Sequence, residues 1–170
     1  MSYSADQLPE LLQNRPLVFL GAGSQIRGDD GWVFHLFRDL QTDAASEVLF
    51  LWGETTPENY IPVIVKKNPA TVMICDAGIM NEKPGTVRIF EIHELNEDDI
   101  YLSHRMSLSA LAKEIQHKAR CNVFVLLMQP ASIEFSLSLS PGVDEATRQL
   151  AALIRAGLSA GRDKKQLTSE

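Results

Sequence analysis

Short apolar runs with many β-branched residues alternate with helical patterns along most of this chain. The runs have the length and composition of buried strands. They occupy residues 17–20, 48–51, 71–75, 86–92 and 122–128. Strands that alternate with helices need crossover connections, which produce a largely parallel sheet with helices on both faces. The sequence therefore predicts the α/β class, as a three-layer α/β/α sandwich around a mainly parallel sheet of about five strands.

Helical patterns fill most of the gaps between these runs. An amphipathic stripe over residues 32–40 predicts the first helix, and a Thr-Pro pair at residues 56–57 is typical of the start of a second. Further stripes predict helices over residues 108–115 and 141–158. The Glu-Lys-Pro-Gly turn at residues 82–85 closely follows the third run, so an antiparallel strand, and hence a mixed sheet, is also compatible with the sequence.

The length of the chain favours a single domain. Its 170 residues, 45% of them hydrophobic, are enough to bury one sizeable core. We therefore expect one domain over residues 1–170. Residues 1–10 have the character of a loose N-terminal arm, and residues 161–170 that of a flexible, solvated tail.

The charge of the chain argues against some classes of partner, although small basic patches remain possible. A net charge of −6 argues against binding through nucleic-acid phosphates or anionic lipid. The first 16 residues lack the basic start and apolar stretch of a signal peptide, and no run is long enough to span a bilayer. We expect a cytoplasmic protein that binds neither nucleic acid nor membranes, and a monomer.

Both cysteines lie inside apolar, strand-like runs. Cys75 and Cys121 are therefore expected to be buried, reduced thiols rather than a disulfide. Alternate side chains of a strand point to opposite faces, so Cys75 should point away from its neighbour Asp76.

A glycine-rich loop at residues 21–31 connects the first predicted strand to the first helix. Ligands of open α/β sheets bind at the carboxyl ends of the strands, where this loop must lie. A dinucleotide fingerprint would need its third glycine elsewhere, and the carboxylates of Asp29 and Asp30 would repel a phosphate. No Lys-Ser or Lys-Thr follows the glycines, which excludes a Walker loop. A helix-capping role for both aspartates remains open.

Two further polar residues follow other predicted elements. Asp76 directly follows the run at residues 71–75, and His104 lies on a loop just ahead of a predicted helix. Alone, Asp76 can start a turn and His104 can be a capping or surface residue. Together with Asp30 they form a set of hard-to-borderline ligands that leaves room for water or a substrate donor. The same two aspartates, if close, can act as general acid and base.

These segments, in this order, resemble the nickel-iron hydrogenase maturation endopeptidases. The likeness extends over residues 16–156, and it is strongest to the group that processes the large subunit of hydrogenase 3, the formate-hydrogenlyase type. The Gly-Asp-Asp-Gly element at residues 28–31, the strand ending in Asp76 and the loop of His104 match the family's motifs. The resemblance implies that Asp30, Asp76 and His104 are metal ligands.

The resemblance also implies an activity. Members of this family remove a C-terminal extension from the hydrogenase large-subunit precursor after nickel insertion. The precursor would then be the partner of this protein, and it would present the nickel to the site. Another divalent metal could take the place of nickel. Either the metal polarises the scissile carbonyl or a water, or it positions the bond while Asp30 or Asp76 transfers protons.

The sequence departs from the family pattern at two places. Ser24 stands where the family usually has Asn, and Trp52-Gly53-Glu54 where it often has Asp-Gly-Gly. The second departure suggests an alternative function, a non-cleaving chaperone of the same fold that senses metal or binds the precursor. A nucleotide-binding enzyme that uses the glycine loop is a third hypothesis, against which the acidic start of the helix argues.

Overall fold

A mixed sheet forms the centre of the protein. The computed structural model describes residues 3–41, 47–95, 101–102 and 107–167. Within these residues, the strands are β1 (Leu17–Gly21), β2 (Val48–Trp52), β3 (Thr71–Ile79), β4 (Val87–Glu91), β5 (Tyr101–Leu102) and β6 (Asn122–Met128). The α-helices are α1 (Leu8–Leu11), α2 (Trp32–Leu40), α3 (Ile61–Lys67), α4 (Leu108–Ala119) and α5 (Pro141–Leu167). The elements alternate as the sequence predicted.

The sheet has the order β2-β1-β3-β6-β4, with the two-residue β5 paired to the end of β3. The neighbours from β2 to β6 are parallel, whereas β4 runs antiparallel to β6. β4 directly follows the turn at residues 82–85. The antiparallel strand is therefore the one that this turn suggested in the sequence. The prediction of a mainly parallel, mixed sheet is confirmed.

Helices cover both faces of the sheet. Phe19 and Met73 point to one face, where they form a core with α1, α2 and α5. Leu20 and Ile74, their neighbours along the strands, point to the other face and pack with α3 and α4. All four side chains are fully buried, and each such burial contributes roughly 1.5–3 kcal/mol of transfer free energy. The three-layer α/β/α sandwich is therefore confirmed.

Residues 3–10, the described part of the loose arm that was predicted for residues 1–10, are packed on the domain. Residues 5–7 form a 3-10 turn and α1 follows it directly. Leu8 is fully buried, and α1 packs on α5 so closely that a Cβ added at Gly157 would lie 3.0 Å from the Cα of Pro9. The apolar side chain of Leu8 thus holds this segment on the domain.

The C-terminal helix is longer than the sequence predicted. α5 continues to Leu167, so residues 161–167 of the predicted tail are helical. These residues contain good helix formers and no proline, which allows the helix to continue. No helix in the described ranges has the length and apolarity needed to cross a membrane.

Candidate functional site

The polar residues singled out in the sequence lie at the carboxyl edge of the sheet. β1 ends at Gly21, which pairs with Cys75 of β3. β3 itself continues to Ile79, so Asp76 is the first β3 residue beyond the end of β1. The sequence placed Asp76 after a strand, whereas the structure places it inside one. Because β1 ends beside Cys75, Asp76 lies at the same edge of the sheet as the loop that follows β1.

Asp76 is a fully buried carboxylate. Its Oδ1 accepts a hydrogen bond of 2.8 Å from the N–H of Ala77. Because side chains alternate along a strand, Asp76 points towards the α3 and α4 face, away from Cys75. A buried charge is expensive unless other groups stabilise it, which makes this position a candidate for function.

Cys75 is not available as a nucleophile. Its side chain is fully buried in the core on the α2 and α5 face. Burial raises the pKa of the Cys75 thiol far above its ordinary value, and the negative charge of Asp76 raises it further. Cys121 is also a buried free thiol. The prediction of buried, reduced thiols is confirmed. Because the thiolate is the reactive form, a thiol in this environment is a poor nucleophile.

The start of the glycine loop is hydrogen-bonded to β3, to the segment after β2 and to the turn that contains Asp30. The N–H of Ala22 donates to the carbonyl of Cys75 at 2.8 Å, and the N–H of Gly23 donates to the carbonyl of Glu54 at 2.9 Å. The N–H of Ser24 donates to the carbonyl of Asp30 at 3.3 Å. These N–H groups already have acceptors, so they cannot also form the cradle that a bound pyrophosphate needs. The bonding of the loop argues against the nucleotide hypothesis.

Gly23 is required by the closeness of Asp30. The residue has a φ of +131°, and a Cβ added there would lie 2.1 Å from the carbonyl oxygen of Asp30. No side chain fits at that distance. The glycine therefore allows the loop to fold back on the turn that carries Asp30. Its role here is close packing within the protein, not close approach of the backbone to a ligand.

Asp30 lies in a 3-10 turn at residues 28–31, immediately ahead of α2. The residue is 1% exposed, and the turn contacts β3. The Ala22 to Cys75 bond holds the start of the same loop next to Asp76. The fold therefore brings the segments of Asp30 and Asp76 together at one edge, as the sequence predicted.

The third predicted ligand, His104, lies outside the described residues. Within residues 3–41, 47–95, 101–102 and 107–167, no three His, Cys, Asp or Glu side chains are grouped so that they can hold a metal ion. The assignment of Asp30, Asp76 and His104 as a ligand set therefore stays a prediction.

Asp29 has a structural role. It is fully buried, and its carboxylate accepts four hydrogen bonds of 2.6–3.0 Å from described residues of the segment after β6. The donors are the N–H groups of Ala131 and Ser132 and both the N–H and the hydroxyl of Ser140. The N-cap position of α2 is Gly31, without a side-chain cap. Asp29 therefore does not cap α2 but fastens the site loop to residues 131–140.

Replacement of Asp29 by Ala should destabilise the protein by about 3 kcal/mol or more, because it leaves buried donors without their charged acceptor. The measurement is the free energy of unfolding in urea. Asp144→Ala is the matched control, because Asp144 forms an exposed ion pair with Arg148 on α5 and should cost about 1 kcal/mol or less. Equal losses in the two variants would contradict the structural role of Asp29.

The Trp52-Gly53-Glu54 segment packs away from Asp76. The ring of Trp52 lies 5.9 Å from that of Phe34, centroid to centroid, and it joins the core on the α2 and α5 face. Glu54 is exposed with a φ of +51°, and its carbonyl accepts the Gly23 N–H. The added bulk of Trp52 therefore covers the glycine loop on the face opposite to the one that Asp76 enters.

Gln129 lies at the same edge of the sheet, directly after β6, and binds the chain that leaves β3. It is 7% exposed. Its Oε1 accepts from the N–H groups of Met80 at 2.7 Å and Glu82 at 3.3 Å, and its Nε2 donates to the carbonyl of Pro130. These bonds fix the chain where it leaves β3. The sequence gives no local signal for this role, because the partners are almost 50 residues apart.

Comparisons with known proteins agree on one family. The family model described as hydrogenase maturation protease matches residues 34–156, a range that includes Asp76 and begins just after Asp30. The hydrogenase 3 maturation protease of Escherichia coli is 26% identical over 129 residues, which are 76% of this chain and 82% of that protein.

Two solved structures share the fold over most of their length. The crystal structure of a [NiFe] hydrogenase maturation protease from Thermococcus kodakarensis superposes with a TM-score of 0.79 at 25% identity, covering 89% of this chain and 98% of that one. The solution structure of an endopeptidase from Escherichia coli gives a TM-score of 0.68 at 25% identity, with coverage of 80% and 86%. The mixed sheet and its helices are thus similar to those of known maturation proteases.

Proposed function

The chain belongs to the hydrogenase maturation protease family, and from this premise we propose that it cleaves the C-terminal extension from a nickel-iron hydrogenase large-subunit precursor after nickel insertion. We propose that it does so as a cytoplasmic monomer. The observation that carries the proposal is the pair of buried aspartates, Asp30 and Asp76, on adjoining segments at the carboxyl edge of the sheet. Buried carboxylates on neighbouring segments at the ligand-binding edge of an α/β sheet are a common arrangement at catalytic and metal-binding sites.

In this proposal, Asp30, Asp76 and His104 recognise the nickel that the precursor carries. Two carboxylates and an imidazole are ligands that suit nickel and other divalent metals. Three protein ligands leave coordination positions free for the donors of the precursor itself. The nickel is then part of the substrate, and a precursor without metal lacks the group that these residues bind.

The same residues can contribute to cleavage in two ways. Held by Asp30 and Asp76, the metal can polarise the scissile carbonyl or an attacking water. Alternatively, the metal positions the bond and one carboxylate accepts the proton of the water. Replacing nickel by a series of other divalent metals in the precursor separates the two mechanisms. If the metal polarises the carbonyl or the water, kcat should follow the Lewis acidity of the metal, whereas it should not if the metal only positions the bond.

The proposed function predicts that only the nickel-loaded precursor is cleaved. Purified protein is mixed with the cognate large-subunit precursor, with and without nickel, and the mass of the large subunit is followed by mass spectrometry. We expect loss of the C-terminal extension from the nickel-loaded form alone. Binding of the loaded precursor without any loss of mass would instead support the chaperone, and cleavage of both forms would remove the metal-sensing role.

A further inference from the structure

Exposed apolar side chains are concentrated near the candidate site. Within the described residues, the large hydrophobic side chains that are exposed belong to Ile26, Val63, Val65, Ile79, Phe135 and Leu137. Val63 and Val65 lie on α3. The other four lie on segments at the carboxyl ends of β1, β3 and β6, the edge at which Asp30 and Asp76 are found. Exposed apolar groups that cluster at one edge indicate a binding surface.

Ile26, Phe135 and Leu137 form an apolar patch on two bonded segments. They are 50%, 80% and 68% exposed, respectively. The N–H of Ser136 donates to the carbonyl of Ile26 at 3.1 Å, and the N–H of Gly28 donates to the carbonyl of Ser136 at 2.9 Å. These bonds hold the loop after β1 beside the segment after β6. The three side chains therefore present one surface to solvent.

The apolar patch is fixed to the candidate site. Asp29 anchors both ends of the segment that carries Phe135 and Leu137, through its bonds to residues 131–132 and to Ser140. The next residue along the chain is Asp30. A buried carboxylate is thus used to hold strongly exposed apolar side chains in place, an arrangement that a surface pre-organised for binding requires.

The location and size of the patch point to the substrate as its occupant. A second copy of this chain seated here would cover the loop of Asp30 and block access to it. Three side chains also offer only a few hundred Å² of apolar surface, which is less than the roughly 800 Å² that each partner buries in a stable interface. The patch suits a transient encounter with a protein that must also reach the carboxylates.

We propose that Ile26, Phe135 and Leu137 dock apolar residues of the hydrogenase large-subunit precursor, next to the bond that is cleaved. This inference rests on the proposed function, and it adds the surface that selects the precursor. The energy of docking comes from burial of the three side chains, with Phe135, the most exposed, as the main anchor.

The experiment compares Phe135→Ser/Leu137→Ser with Val63→Ser/Val65→Ser, a matched pair of exposed apolar residues on α3. Cleavage of the cognate nickel-loaded precursor is measured for both variants and for the unsubstituted protein, and thermal unfolding checks that each is folded. We expect the first variant to raise KM by on the order of 30-fold with little change in kcat. The α3 variant should keep the original KM.

The outcomes separate the docking surface from the function on which it rests. If the unsubstituted protein neither binds nor cleaves the precursor, the proposed function fails and the docking surface with it. If it cleaves the precursor and Phe135→Ser/Leu137→Ser retains the original KM, the docking surface alone is overturned. Light scattering on the purified proteins tests whether a second copy of this chain covers the patch instead. A dimer that dissociates only in Phe135→Ser/Leu137→Ser, together with an unchanged KM, would assign the patch to that second copy.

Discussion

Replacement of Asp76 by Asn should abolish processing of the nickel-loaded precursor while leaving the protein folded. Asn has nearly the volume of Asp, and its side-chain oxygen can still accept the hydrogen bond from Ala77 N–H. What the substitution removes is the charge that the metal needs. We expect kcat/KM to fall by about 10³-fold or more. Asp30→Asn should give a similar loss, because both carboxylates are proposed to bind the same ion.

The measurement pairs cleavage kinetics with thermal unfolding. The midpoint for Asp76→Asn should move by no more than about 2–4 °C, which corresponds to roughly 1 kcal/mol in a chain of this size. Asp144→Asn is the control, because it removes a carboxylate from the exposed surface of α5 and should leave kcat/KM unchanged. Full activity of Asp76→Asn would show that the catalytic site does not lie at the carboxyl edge of β3.

Most of the sheet was predictable from the sequence because its inner strands, β1, β3 and β6, are largely buried on both faces. Parallel strands covered by helices appear as continuous apolar runs, and each of the five predicted runs is a strand in the structure. The N-terminal segment was not predictable in this way. α1 is only one turn long, and an isolated helix of that length is unstable in water. It forms because Leu8 is buried against α5, more than 130 residues along the chain.

The candidate site was predictable only in part, for a similar reason. In a parallel sheet, the carboxyl ends of the strands lie at one edge. This topology alone predicted that Asp30 and Asp76 lie near each other. The difference between Asp29 and Asp30 follows from contacts with residues 131–140, about 100 residues away, and has no local signature. The orientation of Trp52 also depends on tertiary packing, here against Phe34 of α2.

Replacement of Gly23 by Ala should both destabilise the protein and abolish cleavage. The new Cβ would lie 2.1 Å from the carbonyl oxygen of Asp30, and the φ of +131° is unfavourable for alanine. Either the loop or the turn at residues 28–31 must therefore move. We expect a loss of about 3 kcal/mol in the free energy of unfolding, equivalent to a fall of roughly 6–12 °C in the midpoint.

Gly142→Ala is the matched control for this substitution. In α5 the added Cβ would meet only the carbonyl oxygen of Pro84, at 3.8 Å, so we expect unchanged cleavage and a stability that is equal or higher by up to about 1 kcal/mol. A Gly23→Ala protein that is as stable and active as this control would contradict the tight approach of the loop to Asp30. If Gly23→Ala instead stays folded at 20 °C but cleaves nothing, the defect lies in the position of the carboxylate. In that case Gly23 acts by placing Asp30, since the N–H groups of the loop are already bonded to the protein itself.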